Sequence, residues 1–208
     1  EIVHTLENKE QLIEISSHGG VINGWTLKDE QYSKHDEDGG SSLLGLLVPA
    51  TAPATESGFR TPIAQFKLNG RQVKPIYSVS EQDQDSVVLT YTDPVSKFKI
   101  SNHITLGKSG HLLNHHLTFN NLGTQPVVYD LGVALSGIQD DKNAEGSMFM
   151  PPLHQYESLC KRDTDFERLL GGDIIENKED GDPNKFSDGI RWAGIGTRYF
   201  LTGLYSDD

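Results

Sequence analysis

The 208-residue chain has a single cysteine, Cys160. One thiol cannot close an internal disulfide, and it supplies none of the paired-cysteine spacings on which zinc fingers and redox motifs depend. That excludes a small disulfide scaffold and leaves cytosol and periplasm both open. Cys160 itself reads as a small buried hydrophobe. Basic residues are scarce as well: 18 Lys and Arg stand against 30 Asp and Glu, a formal net charge of −12. Nucleic-acid binding needs clustered positive charge to neutralise phosphates, so nucleic acid is not an expected partner. Long apolar runs are also missing. The longest, "LLGLLVPA" at 43–50, falls well short of the roughly 20 residues of a membrane-spanning helix. The first residues show no basic-then-apolar leader. The chain reads as soluble as it stands, and a mature domain cut from a longer precursor would read the same way.

Helical periodicity is nearly absent, and period-2 alternation takes its place. "QLIEIS" (11–16) sets Ile13 and Ile15 on one face and Leu12 and Glu14 on the other. "IAQFKLNG" (63–70) pairs Phe66 with Leu68 and ends in Asn69-Gly70, a hairpin turn signal. "SVVLTYT" (86–92), "KFKISNHITL" (97–106), "HLLNHHLTF" (111–119) and "VVYDLGVAL" (127–135) alternate in the same way, separated by "DP", "GKSG" and "NNLGTQP" turns. "LHQYESLC", "LLGGDII", "IRWAGI" and "RYFLTGLY" follow. About a dozen short strands joined by short turns predict an all-β fold with little helix, a large antiparallel β-sandwich in one domain over residues 1–208. Residues 34–42, 48–62 and 177–189 are polar or Pro-rich and read as loops, the first and last of them mobile.

Catalytic and ligand motifs are absent as well. No G-x-S-x-G elbow, no dinucleotide or phosphate-loop glycine pattern, no HExxH and no calcium-loop pattern occurs. Eight histidines are present, three of them in "HLLNHH". On a strand His111 and His115 share a face and His116 points the other way, so at most two could meet one metal, with no adjacent acid or cysteine to complete the set. His115 shares its face with Leu113, Leu117 and Phe119 and reads as a semi-buried histidine holding a hydrogen bond. No catalytic, cofactor-binding or metal-binding residue is assigned, and no cofactor is expected.

Three stretches together resemble a known family. "LIEISSHGGVINGWTLKDEQY" (12–32) has an early strand, a Gly-Gly turn and a strand ending in Leu, with Gly19, Gly20, Leu27 and Tyr32 at the matching positions. "LTYTDPVSKFKISNHITLGKSGHLLNHHLTFNNLGTQPV" (89–127) follows the family's meander, and "WAGIGTRYFLTGL" (192–204) its closing hairpin, with Trp192, Tyr199 and Phe200 matching. The chain resembles the large periplasmic domain of the bacterial membrane protein insertase YidC. The resemblance implies a non-enzymatic domain excised from a multi-pass inner-membrane protein of a double-membraned bacterium, exposed on the periplasmic face. It implies an accessory role in inserting and folding inner-membrane proteins, alone or with the Sec translocon. The implied partners are translocon components and nascent inner-membrane proteins, and the domain is expected to be a monomer. Trp192, on the aromatic closing hairpin, is expected to be largely buried.

A second reading stays open. The family's sandwich resembles that of sugar mutarotases, which implies a sugar-active enzyme or carbohydrate-binding module as the alternative. Mutarotation needs an acid and a base across a sugar ring. His103 or His115, with Glu157 or Glu167, are the candidates.

Overall fold

A computed structural model describes residues 1–28, 33–35, 41–43, 46–48, 64–108, 110–135, 157–163, 165–170, 189–196 and 201–205. The described residues hold seventeen strands, every pairing antiparallel, and no helix. The chain divides into two compact units, Glu1–Ala134 and Leu135–Asp208.

In the first unit, β1 (Val3–Glu7), β2 (Gln11–Ser16), β3 (Ile22–Leu27) and β6 (Leu46–Val48) form one sheet in that order. The β1–β2 turn is fixed by Asn8, whose Oδ1 accepts the amides of Glu10 and Gln11, both at 2.8 Å. Gly19 and Gly20 make the β2–β3 turn with φ of 76° and 66°. Between β3 and β6, β4 (Ser33–His35) and β5 (Ser41–Leu43) pair with each other. The stretch 34–42, expected as one mobile loop, thus includes a short strand pair. Serines and a β-bridging register suffice to pair three residues a side even where the sequence is polar; residues 36–40 lie outside the described set.

A second sheet is a continuous meander: β9 (Ser78–Gln82), β10 (Ser86–Thr92), β11 (Phe98–Leu106) and β12 (Leu113–Asn121). A third has the order β13 (Tyr129–Val133), β7 (Ala64–Leu68), β8 (Arg71–Val73). The β7–β8 hairpin turns on Asn69 (φ 49°) and Gly70 (φ 77°), the left-handed pair that a two-residue type I′ turn requires.

The core lies between these sheets. Alternation puts Val87 and Leu89 of β10 and Phe98, Ile100, Asn102, Ile104 and Leu106 of β11 on one buried face. Ala64, Phe66, Leu68 and Val73 of the third sheet pack against Phe98 and Ile100 of that face, with Tyr91, Leu117, Phe119 and Val127 around them. The first sheet is tied to the same side. The Glu7 amide donates to the Gln84 carbonyl (2.9 Å), the Gly19 amide to the Pro75 carbonyl (2.8 Å) and the Tyr77 amide to the Ser17 carbonyl (2.8 Å). Gly20 sits over the core: a Cβ there would lie 3.4 Å from the Tyr77 ring and 3.8 Å from a Leu89 methyl. Two layers of antiparallel sheet around one apolar core make the first unit a β-sandwich, as the alternation predicts.

The second unit is a four-stranded antiparallel sheet in the order β15 (Phe166–Leu170), β14 (Glu157–Lys161), β16 (Trp192–Gly196), β17 (Leu201–Tyr205). Register aligns Phe166, Lys161, Trp192 and Tyr205 in one row across all four strands, hence on one face. Phe166 and Tyr205 in this row are 54% and 63% exposed. Trp192 is partly exposed but mostly covered; its ring neighbour is Phe166, with centroids 6.1 Å apart. Trp192 is largely though not fully covered, as expected of the closing hairpin, while Phe166 and Tyr205 at the two ends of its row are exposed. Cys160, on the opposite face of β14, is likewise partly exposed.

Candidate functional site

Of the family-like positions, Gly19 and Gly20 form the β2–β3 turn, and Leu27 is buried at the end of β3. Trp192 opens β16. Tyr32, Tyr199 and Phe200 lie outside the described residues.

The sugar-reading candidates fall in separate units, His103 and His115 in the first and Glu157 and Glu167 in the second. His103 and His116 are cross-strand partners, as are Ile104 and His115, so His103 lies on the outer face of the second sheet and His115 on the inner one. Glu157 is held by Arg168, whose Nε donates at 2.6 Å, and this ion pair keeps its carboxyl below the usual range. Glu167 is cross-strand to Cys160 and so faces the side of its sheet opposite to Glu157. Among the described residues no group of three or more His, Cys, Asp or Glu side chains is placed to hold a metal ion.

Two polar features sit inside the first unit. Asp93, fully buried at the β10–β11 turn, accepts from the Ser96 amide and hydroxyl (both 2.8 Å) and from Arg71 Nη2 (2.6 Å). Burial alone would raise its pKa; the Ser96 amide, the Arg71 guanidinium and the Ser96 hydroxyl reverse this and hold the carboxyl well below the usual carboxylate range. This cluster locks the β8 hairpin to the β10–β11 turn. His115 is the second feature. Burial pushes its imidazole down to about 4, so the ring is neutral at pH 7. The expected hydrogen bond is not found: among the described residues neither ring nitrogen has a partner. The apolar residues that share its face, Leu113, Leu117 and Phe119, offer none.

Among the described residues a pair of adjacent open edges stands out: β12 ends the second sheet and β13 ends the third. Tyr129 of β13 stacks on Phe119 of β12, with centroids 4.8 Å apart, and lies 5.6 Å from Phe98 of β11. The two edges therefore close the same side of the sandwich. Tyr129, Leu131 and Val133 are cross-strand to the buried Leu68, Phe66 and Ala64, so they point inward, yet they are 47%, 41% and 55% exposed. Among the described residues their outward backbone groups have no partner strand either. The Asn69 amide donates to the Val128 carbonyl, which makes 128, 130 and 132 the positions bonded to β7. In an antiparallel ladder the alternate positions, 129, 131 and 133, then turn their N–H and C=O groups away from β7. By the same count, from the Leu122 amide bonded to the Lys97 carbonyl, the outward-turned groups of β12 belong to its inner-face residues Leu113, His115, Leu117 and Phe119.

The sequence model of one family, described as the YidC periplasmic domain, matches residues 4–208. The chain belongs to the YidC periplasmic domain family. Membership implies a periplasmic location as part of a membrane protein. Among solved structures, that of a galactose mutarotase related enzyme from Lactobacillus acidophilus is similar at 13% identity and a TM-score of 0.44, covering 98% of this chain and 77% of that one. No curated protein matches the sequence.

In this YidC periplasmic domain the apolar alternation of 127–135 was visible in the sequence as a strand. Nothing in a single sequence distinguishes an edge strand from a central one when both alternate, so the open side of the sandwich emerges only from the sheet order.

Proposed function

We propose that this chain is the non-catalytic periplasmic domain of a multi-pass inner-membrane insertase from a double-membraned bacterium. It assists the insertion and folding of inner-membrane proteins, alone or with the Sec translocon, by binding translocon components or emerging segments. The observation that carries the reading is the family match, which runs across both compact units; the domain is taken to act as a monomer. The open edges at β12 and β13 give the binding role a surface, since free strand edges accept extended chain.

Insertion itself requires membrane-spanning elements whose backbone groups are internally satisfied. Among the described residues no helix is long and apolar enough to cross a membrane. A net charge of −12 also disfavours docking on an anionic lipid surface. The domain alone is therefore expected to insert nothing. The test compares protease protection of a small membrane-protein substrate in vesicles alone, with this domain, and with the full-length insertase. Protection by the domain equal to that by the full-length protein would overturn the accessory role.

A further inference from the structure

We infer that the β13 edge is a docking site for an extended, cationic segment with apolar side chains at every second residue. The inference rests on the binding role proposed above and names the chemistry of the occupant. Three observations converge on residues 129–133. The backbone N–H and C=O groups of Tyr129, Leu131 and Val133 are turned outward from β7, as the register shows. These groups, unpaired among the described residues, specify an extended strand as the occupant, because only a strand presents donors and acceptors at matching intervals. The same three residues carry exposed apolar side chains on the inner face, beside Phe119 and Phe98. A strand added in register places its own inward side chains next to them and extends the apolar core outward by one strand.

Charge sets the third requirement. Asp130 is the only charged residue of β13, and its side chain alternates to the outer face, cross-strand to Lys67 of β7 on its other side. The residue of an added strand facing Asp130 gains from being Lys or Arg and loses from being Asp or Glu. The net charge of −12 over the chain works in the same direction on approach. Gly132, next on that outer face, has no side chain, and a Cβ there would meet nothing nearer than 3.9 Å. The occupant residue opposite it is therefore free to be large. The segment that fits has apolar residues opposite Tyr129, Leu131 and Val133, a basic residue opposite Asp130 and any residue opposite Gly132.

The test uses the whole 208-residue domain and four synthetic nine-residue peptides. The first alternates Val or Ile with Lys or Thr. The second replaces its Lys by Glu, the third scrambles the alternation, and the fourth N-methylates the amides that would pair with β13. Binding is read by amide hydrogen exchange and by backbone chemical shifts. The expected result is slowed exchange of the Tyr129, Leu131 and Val133 amides with the first peptide, and affinity weaker by about tenfold or more for the other three. Asp130→Lys, which leaves the inner face untouched, is expected to reverse the preference between the Lys and Glu peptides. Equal binding by the N-methylated or scrambled peptide, or protection centred elsewhere, would overturn the inference. So would protection of these amides without peptide that grows with protein concentration, because the occupant is then a second copy of the chain. Absence of binding by all four peptides would overturn it as well, while leaving the vesicle experiment and the accessory role to stand or fall separately.

Discussion

Phe119 and Tyr129 stack 4.8 Å apart although they belong to different sheets, each on the last strand of its own. With Phe98, 5.6 Å from Tyr129 and 6.1 Å from Phe119, they link the two edge strands through one aromatic cluster. Offset aromatic pairs add about 0.5–1.5 kcal/mol beyond the area they bury. Phe119→Ala is expected to destabilise the domain by about 2 kcal/mol and Tyr129→Ala by about 1 kcal/mol, since Tyr129 is more exposed. The double variant should cost less than the sum, by about the size of the pair term. Chemical denaturation of the four proteins checks this; strict additivity would mean that the rings do not support each other.

Asp93 gives a second expectation. It is buried and accepts from Ser96 and Arg71. Replacing it by Ala leaves the Ser96 amide without its acceptor at a turn where Lys97 already holds a φ of 59°. The loss is expected to be about 3 kcal/mol. Arg71→Ala should cost less, because the half-exposed guanidinium works partly in solvent and the Ser96 donors remain. A denaturant midpoint for Asp93→Ala within error of the parent would show that the cluster is ornamental to stability.

His115 makes stability depend on pH. Its folded pKa, about 4, lies below the ordinary value of 6.5. The unfolded chain therefore binds the proton first as pH falls. The stability contribution of the neutral ring is complete above pH 6.5, declines as pH drops from there toward 4, and is flat below. The full difference is roughly 3 kcal/mol, as an order of magnitude. Asp93, whose folded pKa is also depressed, acts in the same sense at lower pH: its contribution is complete above the ordinary carboxylate range and is lost as pH falls further. His115→Leu should flatten the melting temperature between pH 7 and pH 4.5 relative to the parent. Parallel curves for the two proteins would mean that the imidazole is solvated.

The glycines at 20 and 70 separate strain from space. Both have positive φ. An added Cβ at Gly70 meets nothing within 4 Å, whereas at Gly20 it reaches the Tyr77 ring at 3.4 Å. Gly70→Ala is expected to cost about 1 kcal/mol from backbone strain alone. Gly20→Ala should cost more, by about a further 1 kcal/mol, from crowding against Tyr77 and Leu89. Thermal melts of the two variants provide the comparison; equal losses would remove the packing contribution at Gly20.

The all-β class was legible because alternation is a local property, and β2, β10 and β11 were found nearly residue for residue. The Asn69-Gly70 turn was legible for the same reason: its dihedral demand is met by only a few residue types. What could not be read depends on distant partners. β8 and β9 are short and largely exposed on both faces, so they carry no alternation to detect. The strand pair at 33–35 and 41–43 lies in a stretch whose polarity signals a loop. The cover of Trp192 follows from its aromatic strand, but the exposure of Phe166 and Tyr205 in the same row does not, because burial depends on what lies over a face. His115 was correctly placed among apolar neighbours, but those neighbours are what deprive it of a partner.

The third sheet also imposes a timetable. β7 reaches its neighbour β13 only after β8 to β12 have been made, because Leu68 pairs with Tyr129 and Ala64 with Val133. The second sheet, by contrast, is built from consecutive hairpins and closes with short loops. A chain delivered from its N-terminus can therefore complete β9 to β12 as each strand appears, while Phe66 and Leu68 wait, uncovered on one side, for the last strand of the unit. Slow delivery would lengthen that interval, and misfolding in the unit is expected to begin with β7.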